Sequence, residues 1–271
     1  MRMCSHSISD GRGIGKMNFI VSAATDIGLT KNTNQDSYAV RVLSTRQGKM
    51  AFAVLCDGMG GLTRGEIASA SLVRAFCNWA DHQLPALCQQ EITDAAIRSD
   101  WVGLAEEYNE KIKDYAKSRG TNVGTTVTAI LLTEKRYYIL NVGDTRAYEI
   151  TDQASVLTRD QTVVALEVEM GRLTAEEAKT DARRSVLLQC IGASEEVCPD
   201  LFFGDTKWNA VYMLCSDGFR HEITRQEIHQ YLNPNVMTDP DGMKRNMEAL
   251  IDLNKQRQER DNISVISIRT F

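Results

Sequence analysis

The order of elements along this chain predicts an α+β fold, with antiparallel sheets and helices packed outside them. Three observations lead there. Candidate strands and helices come in blocks (strands, helices, strands, helix, strand) rather than as alternating βα units. Adjacent strand-like runs are joined by short polar turns such as Thr133-Glu134-Lys135, a hairpin spacing. The 271 residues, 43% apolar and 25% charged, suit a globular domain that buries its own core.

The opening block is β. Phe19 to Ala23 forms a short apolar run, Gly28 to Asp36 is a polar turn region, and Ser37 to Leu43 is a second strand. Gln47-Gly48 turns the chain into Met50–Cys56, which is continuously apolar and reads as a buried strand. Two helices follow. Glu66 to Leu84 spaces Ala68, Leu72, Ala75, Phe76 and Trp79 on one face. Glu91 to Ser118 does the same with Ile92, Ala96, Leu104, Tyr108, Ile112 and Tyr115; Trp101 reads as packing and Gly120 as a stop. Thr125–Thr133 pairs with Arg136–Val142, and Arg146–Ile150 with Ala154–Leu157. Thr174-Ala-Glu-Glu177 and Thr224-Arg-Gln-Glu227 carry the reciprocal capping pattern that opens short helices, to Ala182 and Leu232. Ala210 to Cys215 is a strand. Asp241 to Gln258 is a helix with Met243, Met247, Leu250 and Ile251 inward, and Ile263 to Ile268 closes the chain as a strand.

Acidic residues stand at the ends of these buried strands. Asp57-Gly58 follows Met50–Cys56, Asp217-Gly218 follows Ala210–Cys215 and Ser216, and Asp261-Asn262 precedes Ile263–Ile268. Asp-Gly is also a common turn dipeptide, and Asp10-Gly11 and Asp241-Gly242, in polar surroundings, read as turns. Asp57 and Asp217 differ because an acid at the mouth of a buried strand is costly unless paired or bound to a cation. Carboxylates on rigid strand ends gather hard divalent ions such as Mg²⁺ or Mn²⁺. Gly58-Met59-Gly60-Gly61 permits close backbone approach to a ligand, and it lacks the Lys-Ser/Thr ending of a phosphate-cradling loop. Asp36 and Asp144 stand at comparable places, with local turn capping as the alternative.

Composition excludes other classes. A net charge of −5 does not favour nucleic acid or an anionic membrane. Seven cysteines without a Cys-x-x-Cys, and four histidines without ligand spacing, point to a reduced cytoplasmic protein without a zinc site. No apolar run is long enough to span a bilayer. Residues 1–17 read as a flexible tail, with Met17 a candidate original start, and residues 18–271 as one domain.

Taken in order, Lys31-Asn-Thr-Asn-Gln-Asp36, Asp57-Gly-Met-Gly-Gly61 with Gly65-Glu66 and Ala68, Gly124-Thr-Thr126, Asn141-Val-Gly-Asp-Thr-Arg146, Leu157-Thr-Arg-Asp160, Ser216-Asp-Gly218 and Arg260-Asp-Asn262 resemble the bacterial-type metal-dependent protein serine/threonine phosphatases, the phosphatase 2C (PPM) family. The resemblance runs over residues 19–269 and implies two packed antiparallel β-sheets flanked by helices, an αββα sandwich. It implies two Mn²⁺ or Mg²⁺ ions, with Asp57 bridging both, Asp217 and Asp261 completing the first, and the Gly58 carbonyl joining the second. Asp36 would hold a metal-bound water as the attacking group. Lys31 would anchor phosphate, Asp144 would serve a third, weaker ion, and residues 161–190 would form a flap beside the site. The implied activity is hydrolysis of phosphoserine and phosphothreonine in proteins that are substrates of a kinase, by a chain acting as a monomer. A phosphoprotein-binding pseudophosphatase and a phosphoesterase for small phosphates are the alternatives.

Three departures accompany the resemblance. Lys31 stands where many members have Arg, so phosphate meets a point charge instead of a bidentate fork. Gln35 stands where others have Glu. Met59 stands where animal relatives have a histidine proposed as general acid, and a thioether has no proton to donate.

Overall fold

The computed structural model describes residues 16–60 and 64–271. The expected tail therefore lies outside the described residues except for Lys16 and Met17, and Met17 is buried in the core rather than part of a tail. Asp10-Gly11 and Gly61 also lie outside.

The chain opens with β1 (Phe19–Asp26), β2 (Asp36–Thr45) and β3 (Gly48–Gly60). Helices α1 (Gly65–His82), α2 (Leu84–Leu87) and α3 (Asp94–Arg119) follow. Strands β4 (Val123–Thr125), β5 (Val127–Leu132), β6 (Arg136–Val142), β7 (Arg146–Ile150) and β8 (Ala154–Val156) come next, then short helices α4 (Val163–Glu169) and α5 (Ala175–Thr180). The chain ends with β9 (Asp200–Asp205), β10 (Val211–Cys215), α6 (Asp217–Arg220), α7 (Arg225–Leu232), α8 (Pro240–Gln256) and β11 (Ile263–Thr270).

Two antiparallel sheets result. One has the order β1-β11-β10-β7-β8; the other has β2-β3-β5-β6-β9, with β4 added to the far end of β3. The period-2 alternation of each strand builds three core layers. In β3, Ala51, Ala53 and Leu55 face the opposing sheet, where they meet Tyr212, Leu214, Ile266 and Ile268. Met50, Phe52, Val54 and Cys56 face outward onto α1 and α3. In β10, Val211, Met213 and Cys215 face outward onto α7 and α8, against Met243, Met247 and Leu250. Each central strand is covered on both faces, which is why its sequence is apolar throughout instead of alternating with polar residues. The αββα sandwich implied by the resemblance is the observed architecture.

The α3 face differs from its expected one. The buried stripe is Ile97, Trp101, Ala105, Asn109, Ile112 and Ala116, with Leu104, Tyr108 and Tyr115 packed at its edge. Asn109 enters this stripe because its Oδ1 accepts from the Gly192 amide at 2.7 Å and its Nδ2 donates to the Ser194 carbonyl at 3.1 Å. A polar residue with both ends satisfied buries readily, and an apolar count passes over it. The helix starts at Asp94, capped by Thr93, whose hydroxyl accepts from Ala96 N at 3.2 Å. Trp101 is fully buried in an aromatic cluster with Phe52, Phe76 and Trp79, its centroid 5.3 Å from that of Trp79. The capping boxes at Thr174 and Thr224 are both formed.

Asp241-Gly242 is not a turn. It lies in the first turn of α8, where Asp239 Oδ1 accepts from Gly242 N at 2.8 Å. Strand β9 and helix α4 carry no readable pattern. The half-buried Asp200–Asp205 edge strand is flanked by acids, and α4 is a seven-residue piece. The segment 161–190 holds α4 and α5 and is closed at its base by a bridge between Thr162 and Leu187. Among the described residues, no helix is long and apolar enough to cross a membrane.

Candidate metal centre

Antiparallel pairing brings the acidic strand ends to one edge of the sandwich. The first residue of β2, Asp36, is the direct cross-strand partner of Asp57 in β3. Asp57 does not close its strand as expected. β3 runs on to Gly60 because its last residues pair with β4, Gly58 opposite Thr125. The backbone of Asp57 is clamped by the Gly124-Thr-Thr126 segment: its amide donates to Thr126 Oγ1 at 2.9 Å, and its carbonyl accepts from Thr126 N at 2.8 Å and Thr125 Oγ1 at 3.0 Å. On the other sheet, β10 ends just before Asp217, the first residue of α6, and Asp261 lies two residues before β11. Asn262 joins the two halves: its Oδ1 accepts from Gln35 N at 2.8 Å and its Nδ2 donates to Ile27 O at 2.9 Å. The Asp144 side chain lies in the β6–β7 connection and is 7% exposed.

Two like charges directly opposite on an antiparallel pair are destabilising, and burial makes the arrangement costlier. Burial, reinforced by Asp36, Asp217, Asp144 and Asp261, holds the Asp57 carboxyl well above the usual carboxylate range. Burial also pushes Asp36 up to about 7, with Asp217 and Asp261 adding to it. The Ser264 and Ser216 hydroxyls lie close enough to pull Asp36 the other way. Neither meets hydrogen-bond geometry, and both Asp36 oxygens, like Asp217 Oδ1, are buried without a partner. Asp144 is raised to about 7 by burial and Asp217, against the pull of Arg220.

Orphaned buried carboxylate oxygens are the signature of a site built for a cation. The donor set is all oxygen, which suits Mg²⁺ or Mn²⁺. Among the described residues, no three acids are arranged tightly enough to hold an ion as they stand. Lys31 instead lies in the cluster, its Nζ 2.7 Å from Asp261 Oδ1. Despite opposing burial, Asp261, Asp57 and Asp217 together hold its ammonium above the ordinary lysine value. The fit therefore rests on the converging, unpartnered acids, with Lys31 as their resident counter-charge.

His221, Glu259 and Arg220 in this site escaped sequence reading. His221 caps α6 and faces Asp217, Nε2 to Oδ2 3.4 Å, while its Nδ1 is 3.2 Å from Glu259 Oε2. Glu259 Oε1 accepts from the amides of Arg260 and Asp261 at 2.7 and 2.9 Å, so one acid braces the loop of Asp261 and, through His221, the side chain of Asp217. Arg220 lies behind Asp144 together with Arg146 and Asp160, which stand in the motifs that carry the resemblance. The four-residue spacing of Asp217 and His221 is the sequence signal that points to His221. Cys56 and Cys215, by contrast, are fully buried, and burial pushes the Cys215 thiol up to about 12, as expected of core residues.

The pH dependence follows from the raised acids. A carboxyl whose folded value is raised favours the folded state only while protonated. For Asp36 and Asp144 the penalty is absent below the ordinary value of 3.8, grows as pH rises and is complete above about 7. The raised His221 acts in the same direction. In chelator, the protein is expected to melt several degrees higher at pH 5.5 than at pH 8, and added Mn²⁺ to raise the melting point more at pH 8. Thermal scans at the two pH values check this; equal melting points in chelator would contradict it.

The comparisons with known proteins agree with this fold. The family model for protein phosphatase 2C matches residues 30–258, and the chain belongs to that family. The serine/threonine protein phosphatase PstP of Mycobacterium tuberculosis is 31% identical over 249 residues, covering 90% of this chain and 44% of PstP. The chain thus spans less than half the length of that relative. A putative protein phosphatase 2C-type protein of Streptococcus pyogenes is 30% identical, covering 90% of this chain and 95% of that protein. Among solved structures, the S. agalactiae serine/threonine phosphatase superposes with a TM-score of 0.78 at 27% identity, covering 93% of this chain and 99% of that one. The catalytic domain of PstP in complex with two manganese ions gives 0.75 at 25% identity, covering 94% and 99%.

Proposed function

We propose that this chain is a protein phosphatase that hydrolyses phosphoserine and phosphothreonine esters of proteins, with two Mn²⁺ or Mg²⁺ ions as cofactors. The reading rests above all on one observation: the buried, unpartnered oxygens of Asp36 and Asp217 in a group of acids facing one edge of the sandwich. Asp57, Asp217 and Asp261 and the Gly58 carbonyl would hold the ions. When bound, the pair lowers the pKa of water and neutralises charge on the transferring phosphoryl group.

The rest falls to the chain's own side chains. Asp36 offers two acceptor oxygens free of protein partners, which orient an attacking water and take its proton. The Lys31 ammonium, 38% exposed and on the same edge, presents a positive charge to an incoming phosphate dianion. Met59 has no proton to give, so the leaving seryl or threonyl oxygen takes its proton from another group. Lys31→Ala is expected to raise KM for a phosphopeptide roughly 10-fold, with kcat changed much less; a kcat defect with unaltered KM would remove Lys31 from the anchoring role. The test of the whole reading is hydrolysis of phosphoserine and phosphothreonine peptides beside an aryl phosphate, with and without Mn²⁺. Turnover that ignores Mn²⁺, or that spares the phosphopeptides, would overturn it.

A further inference from the structure

The acid that the family resemblance links to a third ion is already matched by a cation of the chain itself. Arg220, on α6, donates through Nη2 to the Asp144 carbonyl at 3.0 Å and approaches Asp144 Oδ2 at 3.4 Å. The same nitrogen lies 3.3 Å from Asp160 Oδ2. Asp160 in turn accepts a two-pronged pair from Arg146, Nε to Oδ1 and Nη2 to Oδ2, both 2.7 Å. The Arg220 and Asp144 side chains are 11% and 7% exposed, so water screens this contact little.

The charge count separates this quartet from the neighbouring acids. Arg146 and Arg220 against Asp144 and Asp160 sum to zero. Asp36, Asp57, Asp217 and Asp261 against Lys31 leave a surplus of negative charge. A divalent ion is attracted to the surplus, whereas at Asp144 it must first evict a guanidinium held by two acids and a carbonyl. Eviction would leave a buried arginine with fewer partners, a strongly unfavourable state.

Building on the two-ion reading above, we infer that Arg220 is a built-in cation that occupies Asp144 in place of a third metal ion, so that this protein binds two ions and excludes a third. Calorimetric titration of the whole chain with Mn²⁺, paired with native mass spectrometry, counts the ions without reference to activity. Wild type is expected to bind two. Arg220→Met keeps the length of the side chain and removes its charge; it is expected to gain a third equivalent, lost again when Asp144→Asn is added. Arg220→Lys is expected to stay at two. Asp144→Asn alone, which avoids any folding defect of the Arg220 variants, is expected to leave the count at two. A third ion in wild type that disappears in Asp144→Asn would overturn the inference, and so would a count of two in folded Arg220→Met. Failure of the wild-type chain to bind Mn²⁺ at all would instead overturn the two-ion reading, and the inference with it.

Discussion

Asp57→Asn is expected to lower Mn²⁺-dependent phosphatase turnover by about 10³-fold or more, because on the proposed reading it removes a charge that would hold the ions. The same substitution is expected to raise the melting point of the metal-free protein. Asp57 is held well above its ordinary pKa by burial and by Asp36, Asp217, Asp144 and Asp261, so its ionised form works against folding. Asparagine keeps the shape and removes the repulsion. The opposite signs are diagnostic: a structural aspartate would lose stability along with activity. Side-by-side turnover and thermal scans in chelator check this, and undiminished turnover would remove Asp57 from the site.

Gly58→Ala is expected to damage fold and site together. A Cβ at this position would lie 2.3 Å from the Gly65 carbonyl oxygen and 2.7 Å from that of Gln35, both backbone atoms. Neither can swing aside as a side chain could, because Gly58 N donates to Gln35 O at 3.2 Å and Gly65 opens α1. The β3–α1 approach must open, at a cost of about 3 kcal/mol, and the Gly58 carbonyl moves with it. Gly103→Ala is the control. It lies on the exposed side of α3 with no atom within 4 Å of the added carbon, and it is expected to gain up to about 1 kcal/mol. Denaturant unfolding and Mn²⁺ titration of both variants check the contrast; equal stabilities would show that the close approach at Gly58 is not a constraint.

The legible parts of this protein share a physical cause. Met50–Cys56 and Ala210–Cys215 read as buried strands because each is covered on both faces, and burial on both faces leaves a continuous apolar run. The acids beside those runs stood out because a charge is costly there. Asp36 and Asp144 gave weaker signals, since a turn explains each of them locally. Asn109 was missed because its burial depends on carbonyl and amide partners more than 80 residues away. Met17 reads as part of a tail because a single methionine carries no periodicity, yet it packs into the inter-sheet core.

Periodicity, capping patterns and the chemical type of each acid are local properties, and they carried the fold class and the candidate ligands Asp57, Asp217 and Asp261. Which charges meet is not local. Arg220 reaches Asp144 across 76 residues, and His221 reaches Glu259 across 38. Those encounters arise only when β10 pairs with β7 on one side and β11 on the other, which sets α6 between the β6–β7 connection and the loop before β11. Strand pairing therefore decided which acids meet a cation of the chain and which keep buried oxygens without a partner.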